Sequence, residues 1–475
     1  MPKIKKTIPN YYLKQKYFLF TVAVIFLLLI SIYLPCLFPV FHKNVTKPNI
    51  LLLTVCSLRQ DHLGYYGYSR NTSPAIDKFA SVSVCFKNCY THIPWTKPSV
   101  IALMTGKYPG RVENGIKETT LVSFLDSMGY ITYGIVGTNV VRDVVKMNLG
   151  FESFFDNYNL KISKDIHTVQ ADTIVDKAIE WLDGQLSKKT PIFLWLFFKD
   201  PHWPYKPPAF YKEKFLHDHL YSEQSQQLAI NKDYYNSIGG IGQARLKDNA
   251  GQPITNRAYY IAQYDAEIYF LDSQINKIFE YLQKHSSFDD WLIILLADHG
   301  ESLGEDNYYF NHGYFLSEGL IKIPLFIKLP LQTKQKVRYD IASSCDIFPT
   351  IAALVGAPKR DLLTMGLFGK NIFSKEMWLT KQHQRKIMIE NSEAHGSNMK
   401  LLGCVELPYK LIHIVAEKTD KFYDISKQEA LITNYNKSQL IVKDRIKKYI
   451  TDFWISLDKA FQTNKEELRS LGYLQ

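Results

Sequence analysis

The chain has 475 residues, of which 46% are hydrophobic and 22% are charged. This length and composition are ordinary for a globular protein with a buried core, and they exclude a disordered chain as the starting hypothesis. Five lysines within the first 16 residues supply almost half of the net charge of +11. The remaining charge is spread thinly, without zinc-finger spacing or a clustered basic helix, so we expect no nucleic-acid partner.

The first element is an uncharged run over residues 17–41, YFLFTVAVIFLLLISIYLPCLFPVF. About 20 apolar residues suffice to cross a bilayer, and the preceding lysines favour a cytoplasmic N-terminus. We therefore expect a basic cytoplasmic tail over 1–16, a single-pass transmembrane anchor over 17–41, and a periplasmic or extracellular remainder. A cleaved signal peptide is the alternative, but no small-residue cleavage site follows the run.

Continuous apolar runs alternate with helix patterns after about residue 48. The runs are typical of strands buried on both faces of a parallel sheet: NILLLTV (49–55), ITYGIVG (131–137), PIFLWLFF (191–198), WLIILLA (291–297) and IPLFIKLP (323–330). Between them, apolar residues recur at three- and four-residue steps in LVSFLDSMG (121–129), ADTIVDKAIEWLDGQL (171–186) and AEIYFLDSQINKIFEYLQKH (266–285). The alternation predicts an α/β sandwich around a largely parallel sheet.

Two other segments differ from this pattern. Residues 218–257 are polar and irregular, which indicates an insertion lying over the sheet. After about residue 401 the chain shows short alternating runs and then one helix pattern, SQLIVKDRIKKYITDFW. We expect a main domain over 48–400 and a subdomain over 401–475 with a small antiparallel sheet and one helix.

Candidate functional residues follow the ends of predicted strands, where open α/β sheets bind ligands. Asp298 and His299 come directly after WLIILLA and form a plausible metal pair, unless Asp298 only caps a helix. His202 lies in the proline-rich loop FKDPHWPYKPP, and His312 lies in a loop beside Asn311. The alternative for both is a solvated surface histidine.

Thr96 precedes a helix pattern in WTKPSVIALMTG. A threonine followed by a proline two residues later is good chemistry for the start of a helix, so Thr96 is expected to cap it. The N-terminus of a helix also favours an anion or an oxyanion. Capping and a role as nucleophile are therefore compatible.

The six cysteines do not have the spacing of a disulfide framework. Cys85 and Cys89 fall on one face of a predicted strand, about 13 Å apart at ~3.3 Å per residue, which is too far for a bridge. We interpret them as small core residues.

Several of these segments resemble the sulfatases of the alkaline phosphatase superfamily. The similar segments are PNILLLTVCSLRQDHLGYYGYSRNTSPAIDKFA, YTHIPWTKPSVIALMTGKYPG, KDPHWPYKPP, AQYDAEIYFLDSQINKIFEYL, LADHGESLGE, NHGYFLSEGLIKIPLFIK, CDIFPTIAALVGAP and DKFYDISKQEALITN. They occur in the family's order from about residue 48 to about residue 434. The resemblance implies an alkaline phosphatase-like α/β/α sandwich and an ester hydrolase in which a metal ion holds the nucleophile and the ester group.

The resemblance also implies roles for individual residues. Thr96 occupies the position of the nucleophile, and Asp298 and His299 occupy positions of metal ligands. His202 matches a histidine that contacts substrate, and His312 lies near a position often held by lysine or histidine. Two further residues, Arg59 and Lys97, are candidate substrate-binding residues.

Two positions depart from the family's pattern. Sulfatases convert a cysteine or serine in a CxPSR-type motif to formylglycine, whereas this chain has Thr96, which cannot give that aldehyde, and lacks the arginine. Cys56 stands where the family has a metal-binding aspartate. Calcium prefers six to eight oxygen ligands, whereas Cys56, Thr96, Asp298 and His299 would suit one divalent zinc ion. Such a set resembles the one-metal sites of threonine-dependent phosphoethanolamine transferases, although those usually carry several membrane helices.

These features leave three functions open. The first is an enzyme that cleaves or transfers a sulfo- or phospho-ester with Thr96 as nucleophile, phosphoester chemistry being slightly favoured. The second is a membrane-anchored binding protein that keeps the fold but has a decayed site, and the third is an arylsulfatase that uses an unmodified threonine. A membrane anchor favours an envelope glycan or lipid as the substrate, with aromatic residues shaping its pocket: Tyr65, Tyr66, Tyr68 and Trp203.

Overall fold

The computed structural model describes most of the chain after residue 46, and the strands and helices below are those of this part. The described residues are 47–109, 119–146, 149–155, 169–232, 237–242, 246–286, 288–375, 377, 385–391 and 399–470. The predicted tail and anchor, 1–16 and 17–41, lie outside them. In the part that is described, no helix combines the length and the apolar character that a membrane crossing requires.

A central sheet of eight strands carries the fold. Its strands, numbered along the whole chain, are β1 Ile50–Val55, β2 Val84–Tyr90, β3 Ile131–Val136, β4 Ser153–Phe155, β5 Ile192–Phe198, β8 Leu292–Ala297, β11 Lys322–Lys328 and β12 Lys336–Ser343. Their order across the sheet is β12-β2-β11-β8-β1-β5-β3-β4. Every strand runs parallel to its neighbours except β11, which is antiparallel to both β8 and β2. The predicted α/β fold with a largely parallel sheet is confirmed.

The five apolar runs all form strands, and the three central ones, β1, β5 and β8, are buried along their whole length. The strand predicted around Cys85 and Cys89 is also present, as β2, whereas β4 and β12 were not predicted. Exposed or half-buried positions occupy much of both unpredicted strands, so neither shows a continuous apolar run.

Most helices of the described residues pack around this sheet, and the last one packs on a separate C-terminal sheet. They are α1 Pro74–Ala80, α2 Thr96–Thr105, α3 Leu121–Ser127, α4 Asn139–Lys146, α5 Ala171–Asp183, α6 His219–Glu223, α7 Arg257–His285, α8 Glu318–Ile321, α9 Ile347–Leu354, α10 Lys359–Thr364 and α11 Lys437–Ser470. The helix α7 begins nine residues before the predicted segment, because Asn256 caps it by accepting the N–H of Ala258.

The remaining strands form smaller sheets. In the predicted insertion over 218–257, β6 Ala229–Asn231 pairs with β7 Gly240–Gly242. After β8, β9 Ser302–Leu303 pairs with β10 Tyr309–Asn311. A five-stranded antiparallel sheet follows, built from β13 Ile387–Glu390, β14 Leu401–Glu406, β15 Tyr409–Ile414, β16 Thr419–Asp424 and β17 Ala430–Leu431. The helix α11 packs on this sheet through a shared apolar cluster that includes Ile446 and Ile450. The expected C-terminal sheet and helix are thus confirmed, but the sheet takes its first strand from residues 387–390, ahead of residue 401.

Candidate active site

The polar segments after β1 and β8 meet at the carboxyl edge of the sheet because these strands are neighbours. The N–H of Cys56 continues the ladder to Phe198, and the N–H of Asp298 continues it to Val55. Ser57 then adopts a left-handed backbone with φ of 59° and donates its N–H to Asp298 Oδ1 at 3.1 Å. The turn after β1 is therefore tied directly to the residue that follows β8.

Four candidate residues come together at this edge. Thr96 Oγ1 lies 3.5 Å from Cys56 Sγ and 3.1 Å from His299 Nε2. One donor atom from each of Cys56, Asp298 and His299 lies within 4.8 Å of the others. None of the four side chains is more than 6% exposed. The structure thus gathers a thiol, a hydroxyl, a carboxyl and an imidazole in one buried cluster.

Burial shifts the pKa of each ionisable group in this cluster towards its neutral form. It raises the pKa of the Cys56 thiol well above its usual range, and the charge of Asp298 raises it further. Burial likewise raises the pKa of Asp298 and lowers the pKa of His299. A cation among these groups would favour the thiolate, the carboxylate and the neutral imidazole together, so it would oppose the shifts of Cys56 and Asp298 and reinforce that of His299.

The donor atoms fit a metal ion in two further respects. Asp298 Oδ1 accepts the N–H groups of Ser57 and His299, whereas Oδ2 is buried and has no hydrogen-bond partner among the described residues. His299 Nδ1 donates to the carbonyl oxygen of Gly300 at 2.7 Å. A carbonyl only accepts, so Nδ1 carries the proton and Nε2 presents its lone pair to the cluster.

Thr96 does not cap its helix, contrary to the expectation. Trp95 has the extended backbone of the N-cap, and Thr96 is the first helical residue of α2. Its hydroxyl is directed to Cys56 and His299 rather than to a helix N–H. It lies in the first turn, where backbone N–H groups have no acceptor within the helix and favour negative charge.

His312 and His202 extend the cluster outwards. The rings of His299 and His312 are 4.3 Å apart between centroids, and those of His312 and His202 are 5.0 Å apart. His202 donates from Nδ1 to the carbonyl oxygen of Trp203 at 2.6 Å. Burial, with a smaller effect of His312, lowers the pKa of His202 well below its usual range. Nδ1 of His202 therefore carries the proton of a neutral ring, and Nε2 is the nitrogen that can act as an acceptor.

The two other candidate residues occupy different surroundings. Lys97 is exposed, and its ammonium makes no hydrogen bond or ion pair within the described part of the chain. Arg59 is 5% exposed and donates to Asp61 and Glu305 at 2.7 to 2.9 Å and to the carbonyl oxygen of Glu301. The guanidinium of Arg59 is thus engaged by protein acceptors, and its sequence position gave no sign of this.

The aromatic residues also differ from the expectation. Trp203 stacks on His202, with centroids 5.5 Å apart. Instead, the ring of Tyr65 packs edge-on against Phe326, and the ring of Tyr66 is tilted against it. The hydroxyl of Tyr68 donates to Asp265. Trp95, which the sequence analysis did not single out, has its ring 5.7 Å from that of His312. Its position directly before Thr96 was the available signal.

Two residues that support the site were also missed. Tyr264, on α7, donates to the carbonyl oxygen of Ser57 at 2.7 Å and accepts the N–H of Arg59 at 2.9 Å. Glu301 lies 3.1 Å from His312 Nδ1 through Oε1. Tyr264 lies in the middle of a long helix, and Glu301 is one of several acidic residues after β8. Nothing in the sequence distinguishes them from the many other tyrosines and glutamates.

Comparison with known proteins places this architecture in a family. The family model described as Sulfatase matches residues 48–357. An arylsulfatase from Clostridium perfringens is 25% identical over 451 residues, covering 83% of this chain and 91% of its own. An N-acetylglucosamine-6-O-sulfatase from Bacteroides thetaiotaomicron is 23% identical over 388 residues, covering 66% and 69%.

A solved structure of a protein with a different described activity has the same fold. The phosphonate monoester hydrolase of Agrobacterium radiobacter superposes with a TM-score of 0.62 at 19% identity, covering 87% of this chain and 96% of its own. At this identity the likeness concerns the fold alone. Because the family model spans well over half of the chain and includes the whole cluster, the protein belongs to the sulfatase family and is a sulfatase-like hydrolase.

Proposed function

We propose that the protein is a metal-dependent esterase that uses Thr96 Oγ1 as its nucleophile on a sulfo- or phospho-ester. The observation that carries the proposal is the distance of 3.1 Å from Thr96 Oγ1 to His299 Nε2, inside a cluster that also holds Cys56 and Asp298. Hydrolysis follows if water releases the group from Thr96, and transfer follows if an acceptor hydroxyl does so. Phosphoester chemistry is slightly favoured because an unmodified threonine lacks the aldehyde hydrate that helps sulfatases release sulfate.

We propose zinc as the metal. Donor atoms around a tetrahedral zinc ion with bonds of about 2.0–2.3 Å are about 3.3–3.8 Å apart. The distances between Thr96 Oγ1 and its two neighbours, 3.5 Å to Cys56 Sγ and 3.1 Å to His299 Nε2, are close to this range. Calcium takes six to eight oxygen ligands. This cluster instead offers the sulfur of Cys56 as one of its donor atoms.

The chain's own residues provide the remaining chemistry. A bound metal ion lowers the pKa of a hydroxyl that it binds and stabilises charge on nearby oxygens. Thr96 is held rigidly by the start of α2, where the first-turn N–H groups favour an oxyanion. His202, a neutral acceptor, binds a hydroxyl of the substrate, and His312 exchanges protons with the ester oxygens.

We also propose where the protein acts. The uncharged run over 17–41 and the lysines before it support a membrane anchor with the catalytic domain on the extracytoplasmic side. The similarity to an N-acetylglucosamine-6-O-sulfatase supports a sulfated or phosphorylated envelope glycan as substrate ahead of a lipid.

The proposal is tested on the full chain purified in detergent. Metal content is measured directly, and turnover is measured on 4-nitrophenyl sulfate, 4-nitrophenyl phosphate and bis(4-nitrophenyl) phosphate. We expect near-stoichiometric zinc and a loss of at least about 10³-fold in kcat for Thr96→Ala. Thr105→Ala is the matched control, because Thr105 lies at the other end of α2, where its hydroxyl donates to Ile101 and accepts the N–H of Lys107.

A chain without bound metal, in which Thr96→Ala and wild type have equal turnover, would contradict the proposal. That result would favour the binding protein with a decayed site. Turnover of the sulfate ester alone would instead favour an arylsulfatase with an unmodified threonine.

A further inference from the structure

A cavity of about 620 Å³ lies apart from the buried cluster, where the central sheet meets the C-terminal sheet. Its walls include residues of β2, β11 and the edge strand β12, together with the turn between β16 and β17. Neither the four residues of the cluster nor the two outer histidines line it. Its volume falls within the range of about 300–1,000 Å³ that is typical of sites for small molecules.

The charged side chains of this cavity nearly cancel one another. Three cations and four carboxyl groups line it. Arg59 pairs with two of these carboxyl groups, those of Asp61 and Glu305, at 2.7 and 2.8 Å. The other two, on α8 and in the turn between β16 and β17, both pair with the buried Lys410. With Lys410 counted, four cations balance four carboxyl groups, so the cavity favours neither an anion nor a metal ion as its ligand.

Several polar groups of the cavity retain hydrogen-bonding capacity. The ammonium of Lys322 donates no hydrogen bond within the described part of the chain, and its ion-pair partner Glu318 is 4.0 Å away. Gln60 and Asn88 each donate an amide N–H to a backbone carbonyl oxygen, while neither amide oxygen accepts a hydrogen bond from another described residue. Free donors beside free acceptors suit hydroxyl groups, because each hydroxyl both donates and accepts.

An exposed aromatic ring accompanies these groups. Tyr339, on β12, lines the cavity and is 59% exposed. The other tyrosine of the wall, Tyr66, is already covered by the ring of Phe326 and the ammonium of Lys87. A sugar ring has a face of C–H groups, which packs on the negative face of an aromatic ring, and a rim of hydroxyl groups. The cavity therefore matches a sugar better than a purely apolar or a charged ligand.

The walls are held in place by contacts within the chain. Glu429 accepts the N–H of Glu318 at 2.9 Å, which joins the turn between β16 and β17 to α8. Arg59 lies so close to α8 that a Cβ at Gly319 would be 2.7 Å from its guanidinium carbon. A site that is formed before the ligand arrives loses less conformational entropy on binding.

We propose that this cavity is a second ligand site that binds a neutral sugar unit of a glycan. The C–H face of the sugar packs on the ring of Tyr339, and its hydroxyl groups bond to Lys322, Gln60 and Asn88. Binding here requires neither the metal ion nor turnover, so the site goes beyond the proposed function and can be tested apart from it.

The experiment uses the full chain in a detergent without a sugar headgroup, and its probe is a printed array of neutral and acidic oligosaccharides. We expect a neutral oligosaccharide to bind the wild type, and calorimetry then measures its affinity for each variant. Tyr339→Ala and Lys322→Met should each weaken binding at least about 10-fold, whereas Tyr339→Phe keeps the ring and should retain the affinity. Tyr435→Ala is the matched control, because Tyr435 is a 37% exposed tyrosine outside the cavity.

Thr96→Ala separates this cavity from the catalytic centre, since we expect it to abolish turnover and to leave the glycan affinity unchanged. The proposal is overturned if no neutral oligosaccharide on the array binds, or if Tyr339→Ala and Lys322→Met bind as tightly as the wild type. It is also overturned if Thr96→Ala alone loses the glycan, which would place that ligand at the catalytic centre. Intact glycan binding without turnover of any ester contradicts the proposed function only, and turnover without glycan binding contradicts only the site in the cavity.

Discussion

At the scale of single residues, Cys56 is the ligand on which the metal preference of the proposed site depends. Its thiolate is a soft ligand that favours zinc, whereas a carboxylate suits calcium or magnesium. We therefore expect Cys56→Asp to lower zinc affinity by at least about 100-fold and to allow calcium to bind. Competition with a chromogenic chelator measures both affinities. Cys404→Ser, which changes a buried cysteine of β14, should leave both unchanged, and equal zinc affinity in Cys56→Asp would show that this side chain does not bind the metal.

Tyr264 tests how the turn after β1 is held in place. Tyr264→Phe removes the hydroxyl that satisfies the carbonyl oxygen of Ser57 and the N–H of Arg59. Leaving buried polar groups unpaired costs about 1–3 kcal/mol each, so we expect a loss of about that size in the free energy of unfolding, together with weaker metal binding. Tyr130→Phe removes a buried hydroxyl that contacts only Pro48, at the opposite end of β1. If both variants bind metal as tightly as the wild type, Tyr264 does not shape the site.

The residues differ in how far their roles could be predicted. Asp298 and His299 could be placed at the site because they follow an apolar run, and the end of a buried strand is a defined location. Arg59 also follows such a run, yet its guanidinium pairs with Glu305, which is distant in sequence. The partner of a charged side chain is set by tertiary packing, which no local pattern reports.

At the scale of elements, α7 packs on α1 through the stacked rings of Phe79 and Phe279 and binds its first turn through one carboxyl group. Asp272 accepts the N–H groups of Ala75 and Ile76 at 2.9 and 2.8 Å in the first turn of α1. Burial raises its pKa to about 7 despite these bonds. The folded state therefore holds a proton that the unfolded state releases above about pH 4, so the contribution of Asp272 to stability is present at low pH and is lost as the pH rises towards 7.

Asp272→Asn keeps an acceptor for the cap and removes this titration. We expect the stability of the wild type, relative to this variant, to fall by more than about 1 kcal/mol between pH 5 and pH 7. Urea unfolding at a series of pH values measures the difference. Asp176→Asn changes an exposed residue of α5 and should show no such trend. A difference that is constant with pH would mean that Asp272 has the same protonation in both states.

Element prediction succeeded where burial is complete and failed where it is mixed. The strands β1, β5 and β8 are apolar throughout because both faces are covered, so the sequence pattern is sufficient. The direction of β11 could not be predicted, since a buried strand looks the same in either orientation. The strand β11 lies between β8 and β2 and is antiparallel to both. Its pairing with β2 joins residues more than 200 positions apart in the sequence.

At the scale of the whole molecule, the C-terminal sheet shares a core with the main domain. One apolar cluster contains Tyr90, Leu320 and Ile341 from the main domain and Ile387 and Ile412 from the C-terminal sheet. The N–H of Glu390 also donates to the carbonyl oxygen of His92, close to the start of α2. The sequence predicted the sheet from its alternating runs but not this shared core, because the contacting residues come from distant segments.

Lys410 is the buried charge at this junction. It lies on β15 with 0% exposure, donates to the carbonyl oxygen of Leu316 at 2.7 Å, and pairs with Glu318 and Glu429. Burial alone would lower its pKa, but the two carboxyl groups outweigh this effect and raise it. Lys410 thus remains charged where α8 meets the C-terminal sheet.

Lys410→Met removes the buried cation that Glu318 and Glu429 share, and Glu318 keeps only the longer contact of 4.0 Å with Lys322 among the described residues. Removing one partner of a buried ion pair costs about 3–5 kcal/mol, and we expect a loss of that size in the free energy of unfolding of the full chain, measured with urea. Lys427→Met is the control, because Lys427 is 74% exposed beside Asp424, and such a pair contributes about 0–1 kcal/mol. Adding Glu318→Gln and Glu429→Gln to Lys410→Met removes the stranded charges and should restore part of the loss. If the triple variant is no more stable than Lys410→Met, packing rather than charge accounts for the role of Lys410 at the junction.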